Sequence, residues 1–210
     1  MLLAFDTASP TVAVALHDGE DVVVELTSER SMKHGEQLAP LIERALEQAA
    51  LVRQDLTAIA VGVGPGPFTG LRVGLVTART LAYVLELPVY GVCSLDVLAA
   101  EAAQRLPGPF VVATDARRKE VYLASYDDGG VRQSGPAVAK PDTVATELPV
   151  VGEGGALYPT AFPGHTGPLR PSAGWLARVV AEELAELYDP DPLYLRRPDA
   201  ETPRPPKRVS

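Results

Sequence analysis

The chain has 210 residues, 46% hydrophobic and 22% charged, with 19 Lys and Arg against 27 Asp and Glu, a net charge of −8. A chain of this size buries about 70% of its unfolded surface and can fold without staples, as one large domain or two small lobes. The single cysteine excludes a disulfide framework and a four-cysteine zinc site, no apolar run approaches the ~18 residues of a membrane span, and the acidic balance opposes gripping RNA alone. The opening MLLAFDTASP lacks a basic segment ahead of an apolar one, so the expected compartment is the cytoplasm, with no membrane contact.

In chain order, LLAFDTASPTVAVALHDGEDVVVEL reads as two or three strands broken by turn chemistry at TASPT and HDGED. EQLAPLIERALEQAAL then places Leu38, Leu41, Ile42, Ala45, Leu46 and Ala49 at helical spacing, with Pro40 suited to a first turn or a kink. AIAVGV reads as a buried parallel strand, residues 69–86 as a second helix, and PVYGV as a further strand. Ser94 has the chemistry of an N-cap for a third helix with Asp96 in its first turn. RLPGPF marks a lobe boundary, so the expected units are residues 1–105, residues 106–197 and a Pro-rich basic tail at 198–210.

Shifting the chain by 109 residues lays VVATDARRKEVYLASYDDGGVR over LLAFDTASPTVAVALHDGEDVV without a gap. Ala4 meets Ala113, Asp6 meets Asp115, Val12 meets Val121, Ala15 meets Ala124 and Asp18 meets Asp127. AVGVGPG and VVGEGG, which holds Gly152 and Gly154, also share a strand-then-glycine pattern. Two matches in the same order predict a duplicated α/β lobe. In a two-lobed phosphotransferase fold, Asp6 and Asp115 at strand ends would face a cleft and hold metal or water; alone, each reads first as a turn-capping Asp, and together, in a repeat, they favour a cleft.

GVGPGPFTGLRVG, residues 62–74, invites comparison with phosphate loops. It lacks the glycine pair and the Lys of a Walker loop and the third glycine of a dinucleotide fingerprint. Pro65 and Pro67 remove two N–H donors, so the loop is rigid and poor as an anion nest. Beyond it, Gly70, Gly74, Ala78 and Ala82 form a stripe of small side chains, and helix glycines cost about 1 kcal/mol each relative to Ala. Close approach of another backbone offsets that cost, either the chain's own or a partner's. Arg72 and Arg79 on this helix are solvated or meet a partner's carboxylates. The three histidines, His17, His34 and His165, show no metal-ligand spacing, there is no nucleophile elbow, and Cys93 reads as a small core residue.

AFDTASPTVAVAL, KHGEQLAPLIERAL, GVGPGPFTGLRVGLVTARTLA, VYGVCSLDVLA and PLYLRRPDAE together resemble the bacterial TsaB (YeaZ) family. The resemblance runs from Met1 to about Glu201 and departs from the family pattern at Pro67, where a Ser is usual. It implies an α/β, actin-like, sugar-kinase-like (ASKHA) fold of two related lobes, each a mixed sheet flanked by helices. It also implies a non-catalytic partner of TsaD, with the ATPase TsaE as third member, in making threonylcarbamoyladenosine beside the anticodon of tRNAs reading codons that start with A. TsaD-like relatives carry V-x-H-x-x-x-H, whose histidines bind metal; Ser94 and Leu98 stand at those positions here, so no metal site is expected.

From the same resemblance, the helix over residues 36–50 and the one after the Gly-Pro loop are expected to pair with two helices of TsaD. Leu38, Leu41, Ala45, Gly70, Arg72, Gly74, Ala78 and Ala82 are the expected interface, which would pair with itself as a homodimer when TsaD is absent. Asp6, Thr7, Asp115, Gly152 and Gly154 are the expected residual cleft. No cofactor is expected, weak nucleotide binding there stays open, and tRNA is expected to be met through the complex. An ATP-binding phosphotransferase is the first alternative and a glycoprotease-type peptidase the second.

Overall fold

The computed structural model describes residues 1–28 and 33–196. The tail expected at 198–210 lies outside them.

The first sheet is built on β1 (Leu2–Asp6), β2 (Ala13–His17), β3 (Val22–Thr27), β4 (Ala58–Gly64) and β5 (Val89–Cys93). β1 pairs antiparallel with β2 and parallel with β4, and β4 pairs parallel with β5. Along these strands, side chains alternate between large and small. Leu3, Phe5, Val14, Leu16, Ile59 and Val61 point to one face, where α1 (His34–Gln48) and α2 (Phe68–Leu85) supply Leu38, Leu41, Ala45, Leu75 and Ala78. Ala4 and Ala60 point to the other, against Leu176, Ala177 and Val179 of α5 (Ala173–Ala181), while Ala13 and Ala15 meet its Ala173. The period of two thus builds a deep layer on one side and a close-packed helix on the other. Pro40 sits inside α1 but on its exposed side, away from the sheet.

The second sheet comprises β6 (Phe110–Asp115), β7 (Val121–Tyr126), β8 (Arg132–Ala139) and β9 (Val150–Val151), in the order β8-β7-β6-β9. It repeats β3-β2-β1-β4 in order and direction: antiparallel, antiparallel, parallel. Gly64 (φ 94°) at the end of β4 and Gly152 (φ 100°) after β9 occupy backbone that a Cβ disfavours, and each precedes a helix. The second helix is short, α4 (Glu153–Leu157). Register differs by one residue between the lobes: Asp6 pairs with Ala13, but Asp115 pairs with Val121. The β6–β7 turn is correspondingly one residue tighter.

Two corrections concern the helices and the lobes. Cys93, not Ser94, is the N-cap of α3 (Ser94–Ala103), and no side chain caps that end, because the Ser94 hydroxyl is used elsewhere. Residues 106–197 do not form one lobe: α5 packs on the first sheet, and β10 (Leu187–Tyr188) pairs antiparallel with β5 at its edge. The chain returns because the small face of the first sheet needs a covering helix. α3 lies between the sheets, sending Leu95, Leu98 and Ala102 toward Phe110 and Tyr126, and Val97 toward Leu176.

Candidate functional site

Asp6 ends β1 with its carboxylate buried, 1% exposed. Its Oδ1 accepts from the Ala8 N–H at 2.6 Å and its Oδ2 from the Ser94 hydroxyl at 2.6 Å. Burial pushes its pKa above the ordinary carboxylate value, while the bonds from Ser94 and Ala8 pull the other way. In the second lobe, Asp115 Oδ1 accepts from the Arg117 N–H at 2.8 Å, and its Oδ2 lies 3.2 Å from the Arg117 guanidinium. Both aspartates therefore hold the N–H two residues on, as turn caps do. Asp18 and Asp127 repeat this equivalence at the next turn, Asp18 Oδ1 accepting from Glu20 and Asp21 and Asp127 Oδ1 from Gly129 and Val131.

Asp115 lines the cleft between the lobes, together with Ser9, Pro65, Pro67, Tyr122 and Arg170. Asp6 and Thr7 do not line it. Thr7 is fully buried and donates to the Gly70 carbonyl at 2.8 Å. Gly152 and Gly154 lie against the Ala113 carbonyl, where a Cβ would collide. The N–H groups that open α4 are taken by the chain itself: Gly152 donates to Pro168 O at 3.0 Å and Glu153 to Leu169 O at 2.9 Å. Across the same mouth, Glu153 pairs with Arg170 at 3.3 Å. The volume left open, about 20 Å³, suits about one water.

Ser94, at the first of the two positions matched to metal-binding histidines, is committed to Asp6, and Leu98 at the second is buried core. Among the described residues no group of three His, Cys, Asp or Glu side chains is placed to hold a metal ion. Cys93 is fully buried, and burial pushes its thiol up to about 12, so it stays protonated at neutral pH.

The expected interface needs correction. Leu38, Leu41, Ala45, Gly70, Gly74 and Ala78 are all buried in the chain's own first lobe. A Cβ on Gly70 would overlap the Thr7 carbonyl, and one on Gly74 the Thr7 hydroxyl. The small stripe thus lets α2 close on the end of β1. Ala82 is half-buried beside the same core. Arg72 is exposed, but its guanidinium lies 3.7 Å over the Phe68 ring and its Nε donates to the Tyr194 hydroxyl at 3.1 Å. Arg79 pairs with Asp191. Both arginines are engaged by the chain's own C-terminal strap, residues 189–196, where Tyr194 stacks on Phe68 at 5.0 Å and Leu193 donates to the Val63 carbonyl.

What α2 leaves open lies on its opposite side. Val76, Tyr83 and Val84 are 61%, 86% and 68% exposed. Separately, the N-terminal ends of α1 and α2 bound a groove of about 450 Å³ lined by Lys33, Gly35, Phe68, Thr69, Val73 and Arg117. The sequence signal for this face was present, since positions 76, 83 and 84 share one side of a 3.6-residue helix.

Two lobes of repeated strand order around a closed cleft define a member of the actin-like, sugar-kinase-like fold. Residues 25–164 match the family model described as TsaD: tRNA N6-adenosine threonylcarbamoyltransferase. An uncharacterized protein of Mycobacterium tuberculosis is 43% identical over 95% of this chain and 93% of its own. The tRNA threonylcarbamoyladenosine biosynthesis protein TsaB of Escherichia coli is 37% identical over 68% of this chain and 64% of its own length. The solved YeaZ from Pseudomonas aeruginosa superposes with a TM-score of 0.74 at 29% identity, covering 92% of this chain and 99% of that one. The chain belongs to the TsaB (YeaZ) family, whose role lies in tRNA threonylcarbamoyladenosine biosynthesis.

Proposed function

We propose that this chain is a non-catalytic subunit that docks a TsaD homologue through the outer surface of α1 and α2. It thereby supports transfer of the threonylcarbamoyl group to the adenosine beside the anticodon in tRNAs reading codons that start with A. The exposed apolar side of α2 carries this assignment: Val76, Tyr83 and Val84 stand on one face of a helix whose other face is fully packed. A cluster of large apolar side chains left in water on a well-packed chain is the usual mark of a protein contact. In the cleft, Asp115 pairs with Arg117 and Glu153 with Arg170, and the Gly152 and Glu153 N–H groups bond to residues 168 and 169.

The same face supports an isologous homodimer when TsaD is missing. TsaE belongs to the proposal as the third component, and tRNA is reached within the assembly. The cleft is proposed to work without a nucleotide, in a cytoplasmic protein.

Size-exclusion chromatography with light scattering, using this chain with the TsaD homologue of its organism, tests the proposal. A species containing both chains is expected, and tRNA modification should require both. Two unchanged peaks would overturn it. Calorimetric titration with ATP is expected to give no heat from this chain alone; tight binding with turnover would favour a phosphotransferase instead.

A further inference from the structure

We infer that the turn between β6 and β7, residues 116–120, contacts the phosphate backbone of RNA, an assignment that rests on the docking proposed above. Arg117, Arg118 and Lys119 form the only run of three basic residues in a chain of net charge −8. All three are exposed. All three also have left-handed backbone, with φ of 62°, 55° and 59°. Side chains with a Cβ resist that region, and Gly or Asn enter it far more readily. Three successive cations held there put charge where backbone chemistry alone would favour Asn or Gly, and such concentrations of strain belong to working surfaces.

The carboxylates on either side of the turn are both paired with arginines. Asp115 pairs with Arg117, and Glu120 pairs with Arg196, whose Nη1 also donates to the Ala116 carbonyl at 3.1 Å. Arg117 lines both the cleft mouth and the groove that holds Lys33 at the N-terminal ends of α1 and α2. RNA held by a partner seated on those helices would pass beside this turn. A turn of Arg and Lys without an apolar anchor fits phosphate rather than an acidic protein, because protein interfaces are built on apolar centres and are poor in Lys, whereas phosphate contacts need only charge and N–H donors.

The decisive variant is Arg117→Asn/Arg118→Asn/Lys119→Asn in the full chain. Asn tolerates left-handed backbone, so the variant should melt at the same temperature as the parent or higher. Binding of an unmodified tRNA transcript to the mixture with the TsaD homologue is measured across salt concentrations. The expected result is affinity weaker by about tenfold or more near 0.1 M salt, and a salt slope shallower by about 2, since each lost phosphate contact removes roughly 0.7–0.9. Pairing with TsaD should be unchanged, and Arg53→Asn/Arg105→Asn/Lys140→Asn, with the same three charges removed elsewhere, should leave the slope as it was. Unchanged affinity and slope in the triple variant would overturn the inference. So would loss of TsaD pairing with tRNA affinity intact, which would make the turn a protein contact. If the parent chain itself fails to pair with TsaD, the docking proposal falls, and a low-salt tRNA titration of this chain alone decides the turn: equal binding by parent and variant overturns it, weaker binding by the variant upholds it.

Discussion

On its inner side, α2 presses Gly70, Gly74 and Ala78 against the end of β1, with the Thr7 hydroxyl bonded to the Gly70 carbonyl at 2.8 Å. On its outer side, Val76, Tyr83 and Val84 stand in water. Small residues at a regular spacing usually suggest a place where a partner comes close. Here they mark where the helix meets its own sheet, and the surface left for a partner is large and apolar. Small stripes serve close backbone approach whichever chain supplies the backbone, so the stripe by itself does not identify an interface.

Substitutions on the two sides should separate cleanly. The largest effect is expected from Gly74→Leu, which drives a side chain into Thr7. Overpacking of this kind costs about 1–3 kcal/mol or more, so thermal unfolding should show a fall of several degrees or no folded protein at all. A variant that stays as stable as the parent but loses TsaD would return the stripe to the interface. Next comes Val76→Glu/Val84→Glu on the outer side. Its melting temperature should stay within a degree or two, while affinity for TsaD, measured by calorimetry, should fall by about 30-fold or more, as when an interface anchor is lost. Normal pairing would move the docking surface off α2.

The strap tests the border between the two sides. Arg79→Ala removes an exposed pair with Asp191, which is worth about 0–1 kcal/mol. Melting should shift by at most ~4 °C, and any change in TsaD affinity beyond a few-fold would show that the strap belongs to the docking surface.

The smallest effect is expected from Asp6→Asn, whose amide keeps the acceptor for Ala8 and can donate to Ser94. Stability at neutral pH should change by no more than about 1 kcal/mol, and tRNA modification by the assembly should persist. The Asp6 pKa is raised in the fold, so the folded state binds this proton more tightly than the unfolded chain does. Its contribution to stability is therefore present below the unfolded value of ~3.9 and is lost as pH rises through the raised folded value. The difference in melting temperature between parent and variant should shift in the parent's favour as pH is lowered toward 4. Loss of tRNA modification in a folded Asp6→Asn variant would give the cleft a chemical role.

The elements as far as α3, the duplication and the family were legible in the chain because they depend on short-range patterns. Alternation of large and small residues in LLAF and VAVAL sets two faces of a strand, and the Asp-turns recur 109 residues apart. Asp6 and Asp115 were also legible as a matched pair, but not their work. Each side chain is spent on a nearby N–H, and only Asp6 is sealed further by Ser94, 88 residues away. The return of α5 and β10 to the first sheet was hidden for the same reason, since nothing local says which of two sheets a late helix will cover.

Sequence alone therefore settled the strand and helix pattern as far as α3, the repeated strand-and-turn pattern and the family, all of which follow from periodicity and motif. Tertiary structure alone decided which face of α2 is free, that Arg72 and Arg79 belong to the chain's own strap, and that Arg117 lines the mouth of the cleft. Those outcomes rest on contacts between residues distant in the chain, where burial and close approach, rather than local propensity, determine what each side chain meets.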